Sequence, residues 1–309
     1  MERGSVLLFF LPMVSLFGFF DQHLSAGDRN GLKGPAPLES VKLDPACTDC
    51  HSALVEKKMV HSPAKEGCAV CHQTNTADHP EKVAKGLLLT EKIPGLCYKC
   101  HDGVKVDIDT SRVVHQAVNT KRQCMNCHSP HSSDEKKLLV RSKKELCLQC
   151  HDKEVAGDGR KTTNIVQLLR TAKVVHPAIN GGCTSCHKPH ASAENYLLIS
   201  AYPVGRYAQG KRDNYAICWE CHDSDLLDLE KTTTATSFRN GERNLHNVHL
   251  VGKKGRTCSV CHDVHASMQE HLIVDKVQYG EWEFPMNYLP SANGGSCAPG
   301  CHQQFKYTR

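Results

Sequence analysis

Nine cysteine pairs, each followed directly by a histidine, carry the chemistry that this sequence can do. Between residues 113 and 133 the chain reads VVHQAVNTKRQCMNCHSPHSS, with two cysteines three positions apart, a histidine beside them and a further histidine on either side. All 18 cysteines belong to such pairs, although only 20 of the 309 residues are histidine. A histidine after every C-x-x-C pair is the signature of covalent haem c attachment.

Each motif is predicted to attach one porphyrin and to supply one iron ligand. The two thiols lie about one turn apart and can bond one edge of the porphyrin, while the adjacent histidine reaches the iron from one face. Nine motifs therefore predict nine covalently bound haem c groups. The cysteines predicted to form thioether bonds are Cys47, Cys50, Cys68, Cys71, Cys97, Cys100, Cys124, Cys127, Cys147, Cys150, Cys183, Cys186, Cys218, Cys221, Cys258, Cys261, Cys297 and Cys301. The predicted proximal iron ligands are His51, His72, His101, His128, His151, His187, His222, His262 and His302.

Zinc binding and thiol redox catalysis are two other uses of closely spaced cysteines. Structural zinc sites combine two C-x-x-C pairs, or one pair with a separate histidine element, and a histidine directly after every pair is not part of that pattern. A catalytic dithiol needs one pair rather than nine. Haem attachment accounts for all the cysteines, because none remains outside the nine motifs.

The motifs alternate between two kinds, which we call full and plain sites. A full site has one histidine upstream and one just downstream, as His115 and His131 flank Cys124-Met-Asn-Cys127-His128, whereas a plain site such as LCLQCHD has neither. Repetition of a full and a plain site predicts four two-haem units, numbered one to four, after a leading site. The predicted boundaries are 47–51 for the leading site and about 59–109, 113–160, 174–230 and 246–309 for the units.

The remaining histidines are candidates for the second, distal position on each iron. In the full sites of units two to four, the downstream histidine follows the proximal one by three residues and would share one side of a helical turn with it. It is therefore predicted to bind the iron of a different haem. The full site of unit one is a looser copy, in which the downstream histidine is His79. Ten candidates exist for nine irons, and the sequence leaves the roles of His246, His249 and His271 open. The distal candidates are His61, His79, His115, His131, His176, His190, His246, His249, His265 and His271.

The predicted fold is mainly α and irregular, with short helices and loops around closely packed haems and little β structure. Only 39% of the residues are hydrophobic and 6% are aromatic, which is little core material for a chain of this length. Nine porphyrins would supply the remaining apolar bulk. Residues 164–175 have the apolar stripe of a helix, and residues 276–288 are the best strand candidate.

Residues 1–26 have the layout of a secretory signal peptide, with an early cation, an apolar run and small residues before the predicted cleavage position. The predicted mature body is 27–309, with no membrane span, because it has no other long apolar stretch. We expect an exported protein, located in the periplasm, at the outer membrane or outside the cell. Haem propionates would offset the formal charge of +5, so nucleic-acid binding is not expected.

The sequence resembles the doubled C-x-x-C-H multihaem cytochromes in its pattern V-H-x(n)-C-x-x-C-H-x-P-H-x-S followed by L-C-x-x-C-H-D. That group includes the periplasmic decahaem subunits of outer-membrane porin–cytochrome conduits. The resemblance covers residues 47–302, but this chain has nine motifs rather than ten, and its last motif is Cys297-Ala-Pro-Gly-Cys301-His302. It implies redox partner proteins, namely donor and acceptor cytochromes, together with an outer-membrane porin.

Iron with two histidine ligands has no open position for a substrate, so the predicted role is electron transfer, in respiration or to the cell exterior, without catalytic residues. Two alternatives stay open. A multihaem reductase of nitrite, hydroxylamine or sulfur oxyanions would need one iron with a vacant position. A subunit of a cytochrome filament would share the chemistry and differ in its surfaces.

Overall fold

A computed structural model of the chain describes residues 47–74, 87–157 and 160–309, all of which belong to a single structural unit. The predicted signal peptide, 1–26, and the candidate ligand His79 lie outside the described residues. Both therefore stay predictions.

The α-helices of the described segments are short, and the longest has nine residues. Four of them contain the first cysteine of a plain site, because a C-x-x-C-H motif fits one helical turn. None of the helices in these segments is long and apolar enough to cross a membrane. The helices are α1 Cys47–His51, α2 Ser62–Glu66, α3 Gly95–Tyr98, α4 Asp102–Thr110, α5 Lys143–Leu148, α6 Ile165–Thr171, α7 Ala216–Trp219, α8 Asp225–Asp228 and α9 Leu245–Val251.

Short 3₁₀ helices form most of the remaining helical turns. At the full sites they begin at the first cysteine or at the residue before it, where all the other sites except the last have α-helix instead. The 3₁₀ helices are Ser52–Leu54, Cys68–Val70, Gln116–Asn119, Gln123–Asn126, Lys136–Leu138, Pro177–Gly181, Cys183–Ser185, Asn195–Leu197, Arg212–Tyr215, Cys258–Val260 and Glu270–Leu272.

Strands are numerous and very short, which corrects the predicted fold class. The described residues contain 17 strands in eight antiparallel sheets, of which only one has three strands. The prediction of a mainly α fold with little β structure was wrong, because strands of two residues that pair across the chain show no readable alternation of polar and apolar residues. The strands are β1 Met59–Val60, β2 His72–Thr74, β3 Leu87–Leu89, β4 Val113–Val114, β5 Ser132–Ser133, β6 Val155–Gly157, β7 Arg160–Thr162, β8 Val174–Val175, β9 Ala191–Ser192, β10 Arg239–Asn240, β11 Arg243–Asn244, β12 Ala266–Ser267, β13 Lys276–Tyr279, β14 Trp282–Pro285, β15 Leu289–Ser291, β16 Gly294–Cys297 and β17 Phe305–Thr308.

Three of the two-stranded sheets join consecutive units, and we call them the cross-unit sheets. Strand β1 of unit one pairs with β5 of unit two, β4 of unit two pairs with β9 of unit three, and β8 of unit three pairs with β12 of unit four. In each sheet, the strand before an upstream histidine pairs with the strand after the downstream histidine of the next unit. The small side chains of β5, β9 and β12 are buried at these junctions.

A serine in the second strand of each cross-unit sheet fixes the turn that follows it. The Ser192 hydroxyl donates to the Leu198 carbonyl at 2.6 Å and accepts the Glu194 N–H at 3.0 Å. Ser133 and Ser267 make the same two kinds of bond in their own units. The H-x-S part of the repeat is therefore a structural element, in which one buried hydroxyl satisfies two backbone groups.

Two local predictions can be compared with the structure. The helix predicted over 164–175 begins as expected, with the Asn164 side chain accepting the Gln167 N–H at 2.9 Å, but it ends at Thr171. The next residues leave the helix because β8 pairs with unit four. The strand prediction over 276–288 is confirmed by the hairpin of β13 and β14.

Buried side chains are concentrated in the C-terminal third of the described residues. Val260, Val277 and Met286 form a small apolar core there. Among the described residues before position 191, only Ser132 and Ser133 are buried. The described side chains of the earlier units therefore form no conventional core, and the role of porphyrins as apolar bulk stays a prediction.

Candidate cofactor and metal-binding site

The cysteine motifs have a common local geometry. In six of them, the histidine N–H donates to the carbonyl of the first cysteine at 2.9 to 3.2 Å, which closes one helical turn over the five residues. This turn brings two thiols and one imidazole close together in space, as attachment of a porphyrin edge and binding of its iron require. The six motifs are those ending in His101, His128, His151, His187, His222 and His262.

The last motif is closed differently because it has one extra residue between its cysteines. Cys297 ends strand β16, and the His302 N–H donates to the Pro299 carbonyl at 3.2 Å instead of to the first cysteine. The His302 Nδ1 lies 2.6 Å from the Gln303 carbonyl oxygen. The insertion is thus absorbed in a strand-to-turn junction, and the histidine still faces the same cavity as the other motifs.

Eight proximal histidines each lie opposite one distal candidate. The centres of the paired rings are 6.1 to 6.5 Å apart, although the two residues of a pair are far apart in sequence in most cases. The pairs are His72 with His131, His101 with His61, His128 with His190, His151 with His115, His187 with His265, His222 with His176, His262 with His246, and His302 with His249.

This separation fits one iron between each pair of rings. An imidazole nitrogen binds a first-row metal ion at about 2 Å, and the ring centre lies about 1 Å behind that nitrogen. Two imidazoles on opposite sides of one iron therefore have ring centres about 6 Å apart. Stacked rings in van der Waals contact would lie closer together, so packing alone does not account for eight pairs at this spacing.

The pairing follows a simple rule. The plain site of each unit is paired with the upstream histidine of its own unit, as His151 is with His115. The full site of units one to three is paired with the downstream histidine of the following unit, as His128 is with His190. Each of these units therefore has one histidine pair formed within it and one formed with its neighbour.

The cross-unit sheets explain this rule. The His115 N–H donates to the His190 carbonyl at 2.9 Å, directly beside the pairing of β4 with β9. The pairing of β4 with β9 thus places both rings that lie opposite the proximal histidines of unit two. One is His115, which follows β4, and the other is His190, which precedes β9 in unit three. The same backbone bond joins His61 to His131 at 2.8 Å and His176 to His265 at 2.9 Å.

Unit four places its two distal candidates on one helix instead. His246 and His249 are three residues apart in α9, and their rings face His262 and His302. The fully buried Asn244 caps this helix by accepting the N–H of His246 at 3.0 Å, and its amide donates to three carbonyls next to α8. These contacts fix the helix that presents both rings.

His271 has a different role from the other candidates. It lies at φ 57° in a tight left-handed turn, and its backbone carbonyl is 2.8 Å from Nδ1 of His262. Lys137 and Tyr196 occupy the same position in units two and three and hold His128 and His187 in the same way. The backbone of this position orients a proximal imidazole, so no particular side chain is needed there.

Backbone carbonyls are the usual partners of the second ring nitrogen. A carbonyl that accepts from Nδ1–H fixes the tautomer that leaves Nε2 free for a metal. Departures from this pattern include His176, whose Nδ1 lies 3.3 Å from the Ala178 N–H, and His246, whose Nδ1 lies 3.0 Å from the Thr236 hydroxyl. The Nδ1 of His265 lies 3.9 Å from the Asp263 carboxylate, and the buried Nδ1 of His72 has no hydrogen-bond partner among the described residues. The histidines with a carbonyl 2.6 to 2.9 Å from Nδ1 are His61, His115, His128, His187, His249, His262 and His302.

Burial keeps many of these rings neutral. Loss of contact with water lowers the pKa of His246 to about 3 and also lowers the pKa of His187, His262 and His265, with burial the largest cause in each. A neutral imidazole is the form that binds a metal ion. These histidines therefore have the protonation state that iron binding requires.

The motifs follow one another in space in the same order as in sequence. The first cysteines of neighbouring motifs interact in pairs, and contact with the Cys183 thiol is the main reason that the pKa of Cys147 is raised. Second cysteines meet in the alternate gaps: burial and then the charge of Cys150 raise the pKa of Cys127. The first-cysteine pairs are Cys47–Cys68, Cys97–Cys124, Cys147–Cys183 and Cys218–Cys258, and the second cysteines that meet include Cys71–Cys100, Cys127–Cys150 and Cys186–Cys221.

A continuous cavity of about 3240 Å³ runs past the motifs. The first cysteine and the histidine of all nine motifs line it, together with every distal candidate that the structure describes. Among the described residues, no three His, Cys, Asp or Glu side chains converge on one point as ligands of a single metal ion would. Cysteine thiols at the wall and imidazole pairs across the space fit a series of haem c groups.

The sequence did not point to the residues that hold α9. Thr236 belongs to the run KTTTATS, which reads as a polar loop, and Asn244 has only the weak signature of a residue before a short helix. The ring of Phe238 contacts both His246 and His249, with ring centres 5.2 and 5.7 Å away. Two histidines three residues apart, LHNVH, were the one available hint that a single helix supplies both rings.

Comparisons with known proteins agree with the repeated cysteine motifs of the sequence. The family described as "Doubled CXXCH motif" matches residues 61–106, 115–156 and 176–226, one match in each of the predicted units one to three. The chain is 26% identical over 195 residues to "Multiheme cytochrome MtrA" of Shewanella baltica, which covers 56% of this chain and 46% of that protein. It is 24% identical over 259 residues to "C-type polyheme cytochrome OmcB" of Geobacter sulfurreducens, which covers 67% of this chain and 33% of that protein. The chain spans less than half the length of the curated relatives it matches.

Proposed function

We propose, from the premise that this chain is a multihaem c-type cytochrome with doubled C-x-x-C-H motifs, that it carries electrons along nine haems in chain order. The observation that carries the proposal is the set of eight histidine pairs with ring centres 6.1 to 6.5 Å apart. Two imidazoles on one iron leave no position for a substrate, which favours electron transfer over catalysis.

The residues of the chain have three tasks in this proposal. The cysteines attach the porphyrins covalently, the proximal and distal histidines bind the iron from opposite sides, and the carbonyls at Nδ1 hold the rings in place. Each haem, when bound, supplies an iron that changes between the ferrous and ferric states. The eight pairs described above are the proposed axial ligands of haems two to nine, and His271 is the proposed spare histidine.

The order of the motifs supports transfer along the chain. Contacts between first cysteines alternate with electrostatic interactions between second cysteines, so each motif lies near the one before it and the one after it. Covalent attachment holds each porphyrin edge at its own motif. Short steps between neighbouring haems are therefore the expected route.

The plain sites are the proposed places where partners exchange electrons with the chain. The second cysteine of every plain site is exposed, whereas all cysteines of the full sites are partly buried. An exposed thioether edge lets a partner approach closely, so we propose donor and acceptor cytochromes as partners that dock near these edges. The exposed second cysteines are Cys50, Cys100, Cys150, Cys221 and Cys301.

Export to the periplasm, to the outer membrane or to the cell exterior belongs to the same proposal. A porin as a further partner is also part of this proposal. Attachment of haem c to all 18 cysteines would leave no free thiol in an oxidising compartment. Fractionation of cells that express the tagged full-length chain would test this part: a haem-stained band in the periplasm or outer membrane supports it, and a cytoplasmic haem-stained band overturns it.

Intact mass followed by low-temperature electron paramagnetic resonance of the oxidised holoprotein tests the proposed function. A mass increase that corresponds to nine haems, with only low-spin ferric signals, is the expected result. A high-spin signal equal to one haem that changes when nitrite or sulfite is added would overturn it, because an open iron is what a reductase requires. Ordered fibres seen by electron microscopy would instead support the filament alternative.

A further inference from the structure

The loop before α9 brings one threonine hydroxyl to the ring of His246. Thr236 Oγ1 lies 3.0 Å from Nδ1 of His246 and also accepts the Phe238 N–H at 3.0 Å. The loop is held independently of this hydroxyl, because the Phe238 carbonyl accepts the Leu245 N–H at 3.1 Å and the Phe238 ring packs on His246. A change at the hydroxyl can therefore be made without releasing the loop.

The direction of the bond between Thr236 and His246 follows from the position of the ring. Because Nδ1 of His246 contacts Thr236, Nε2 is the nitrogen left for the proposed iron between His246 and His262, and the proton of a neutral His246 is then on Nδ1. A threonine oxygen has two lone pairs, and the Phe238 N–H uses one of them. The second lone pair accepts from Nδ1–H of His246.

Thr236 differs from most of the other ring partners in being a side chain. The seven carbonyls that contact Nδ1 elsewhere belong to the backbone, and no substitution removes them. A hydrogen bond accepted from Nδ1–H makes the imidazole a stronger donor to iron and thereby favours the ferric state. The strength of this bond therefore acts on the reduction potential of one haem.

We propose that Thr236 is a positioning residue that orients His246 and lowers the reduction potential of the eighth haem. The inference rests on the proposed function, because it takes His246 as the distal ligand opposite His262. It goes further by naming a non-ligand side chain that sets the potential of one haem among nine.

The test compares three variants of the full holoprotein. Thr236→Val removes the hydroxyl and keeps the shape of the side chain, Thr236→Ser keeps the hydroxyl, and Thr233→Val changes an exposed threonine of the same loop. Spectroelectrochemical titration measures the potentials, and electron paramagnetic resonance records the low-spin signals. We expect Thr236→Val to raise the potential of one haem, seen as a shift in about one ninth of the absorbance change, and to move one low-spin signal. Thr236→Ser and Thr233→Val are expected to match the parent.

Other outcomes separate the inference from its premise. Potentials and signals that are unchanged in Thr236→Val, or equally changed in Thr236→Ser, would overturn the role of the hydroxyl. A His246→Ala variant tests the premise itself, since loss of a distal ligand should give one high-spin iron that binds carbon monoxide when reduced. If His246→Ala stays fully low-spin, the ligand assignment fails. If it opens one iron while Thr236→Val has no effect, only the present inference fails.

Discussion

Units one to three and unit four place the same kind of histidine pair in two different ways. In the first three units, a two-residue strand pair with the next unit presents both distal histidines, and the backbone bond between His115 and His190 is one example. In unit four, a seven-residue helix presents His246 and His249 from the unit itself. The comparison shows that a repeating array can use minimal secondary structure where its neighbours complete it, and needs a larger local element where they do not.

The two solutions differ in what stabilises them. A cross-unit sheet relies on a few backbone hydrogen bonds and one buried serine such as Ser192. Helix α9 relies on side chains: the fully buried Asn244 anchors it to α8, and Leu245 and Leu250 are buried under it. This is also the part of the described chain where buried apolar residues concentrate. Unit four is thus the part most sensitive to ordinary core substitutions.

The largest expected effect is the loss of an axial ligand in either kind of unit. His190→Ala and His246→Ala should each convert one low-spin iron to high spin, because each ring is the proposed partner of a single proximal histidine. Electron paramagnetic resonance of the oxidised protein measures this. His271→Ala is the matched control and should keep every iron low-spin, since the backbone carbonyl is the part of His271 that contacts His262. A high-spin signal in the control would reverse the assignment of His271.

The next effect separates the two kinds of unit by stability. Asn244→Ala removes a buried amide that donates to three carbonyls and accepts two N–H groups, so we expect α9 to lose about 3 kcal/mol of local stability. Asn164→Ala removes a half-buried cap with one bond to Gln167 and should cost α6 about 1 kcal/mol. Amide hydrogen exchange of both helices gives the two values. Equal losses would show that the buried network does not anchor α9.

A smaller effect is expected at the serines of the cross-unit sheets. Ser192→Ala leaves the Leu198 carbonyl and the Glu194 N–H without their partner and should lower the free energy of local unfolding by about 1–2 kcal/mol. Ser267→Ala should cost about the same, since Ser267 repeats the arrangement. Hydrogen exchange at β9 and β12 measures both. The irons should stay low-spin, and a high-spin signal would show that the serine, rather than the backbone pairing, places the histidine.

The smallest effect concerns the surface of α8, which supports α9. Asp228 accepts from Arg212 at 2.6 Å, and this hydrogen bond lowers the pKa of the carboxyl. A lowered pKa stabilises the folded protein above the ordinary carboxyl pKa, and that contribution is lost as the pH falls through the lowered value. Because both side chains are substantially exposed, Asp228→Asn should cost only about 0.5 kcal/mol at neutral pH. Thermal unfolding at neutral and acidic pH checks this, and a difference from the parent that persists at low pH would contradict it.

The sequence predicted the chemistry of the motifs, but it did not predict which distant strands pair with each other. The resemblance to multihaem c-type cytochromes, predicted from the motifs and their two alternating kinds, is confirmed by the comparisons. The assignment of individual ligands stays a prediction, and the structure adds which rings face each other. Strands such as β4 and β9 could not be predicted, because two residues show no period and their pairing depends on segments about 80 residues apart.

The three ambiguous histidines show the same limit at the level of single residues. The sequence alone does not distinguish which of His246, His249 and His271 are distal ligands. Their difference arises from backbone conformation: the first two lie on a helix that places their rings opposite two proximal histidines, whereas His271 lies in a left-handed turn where the carbonyl makes the contact. Such a turn has no required side chain, as Lys137 and Tyr196 at the same position illustrate.

The cross-unit strand pair also determines how the array can change in length. A further copy inserted between two of the first three units would meet a matching strand on each side and would supply the histidine that its predecessor needs. A copy placed after unit four could not supply a distal histidine to the full site of that unit, because His246 already lies opposite the ring of His262. Duplication within the array therefore preserves every iron site, and unit four is the part that a longer or shorter version of this protein has to keep.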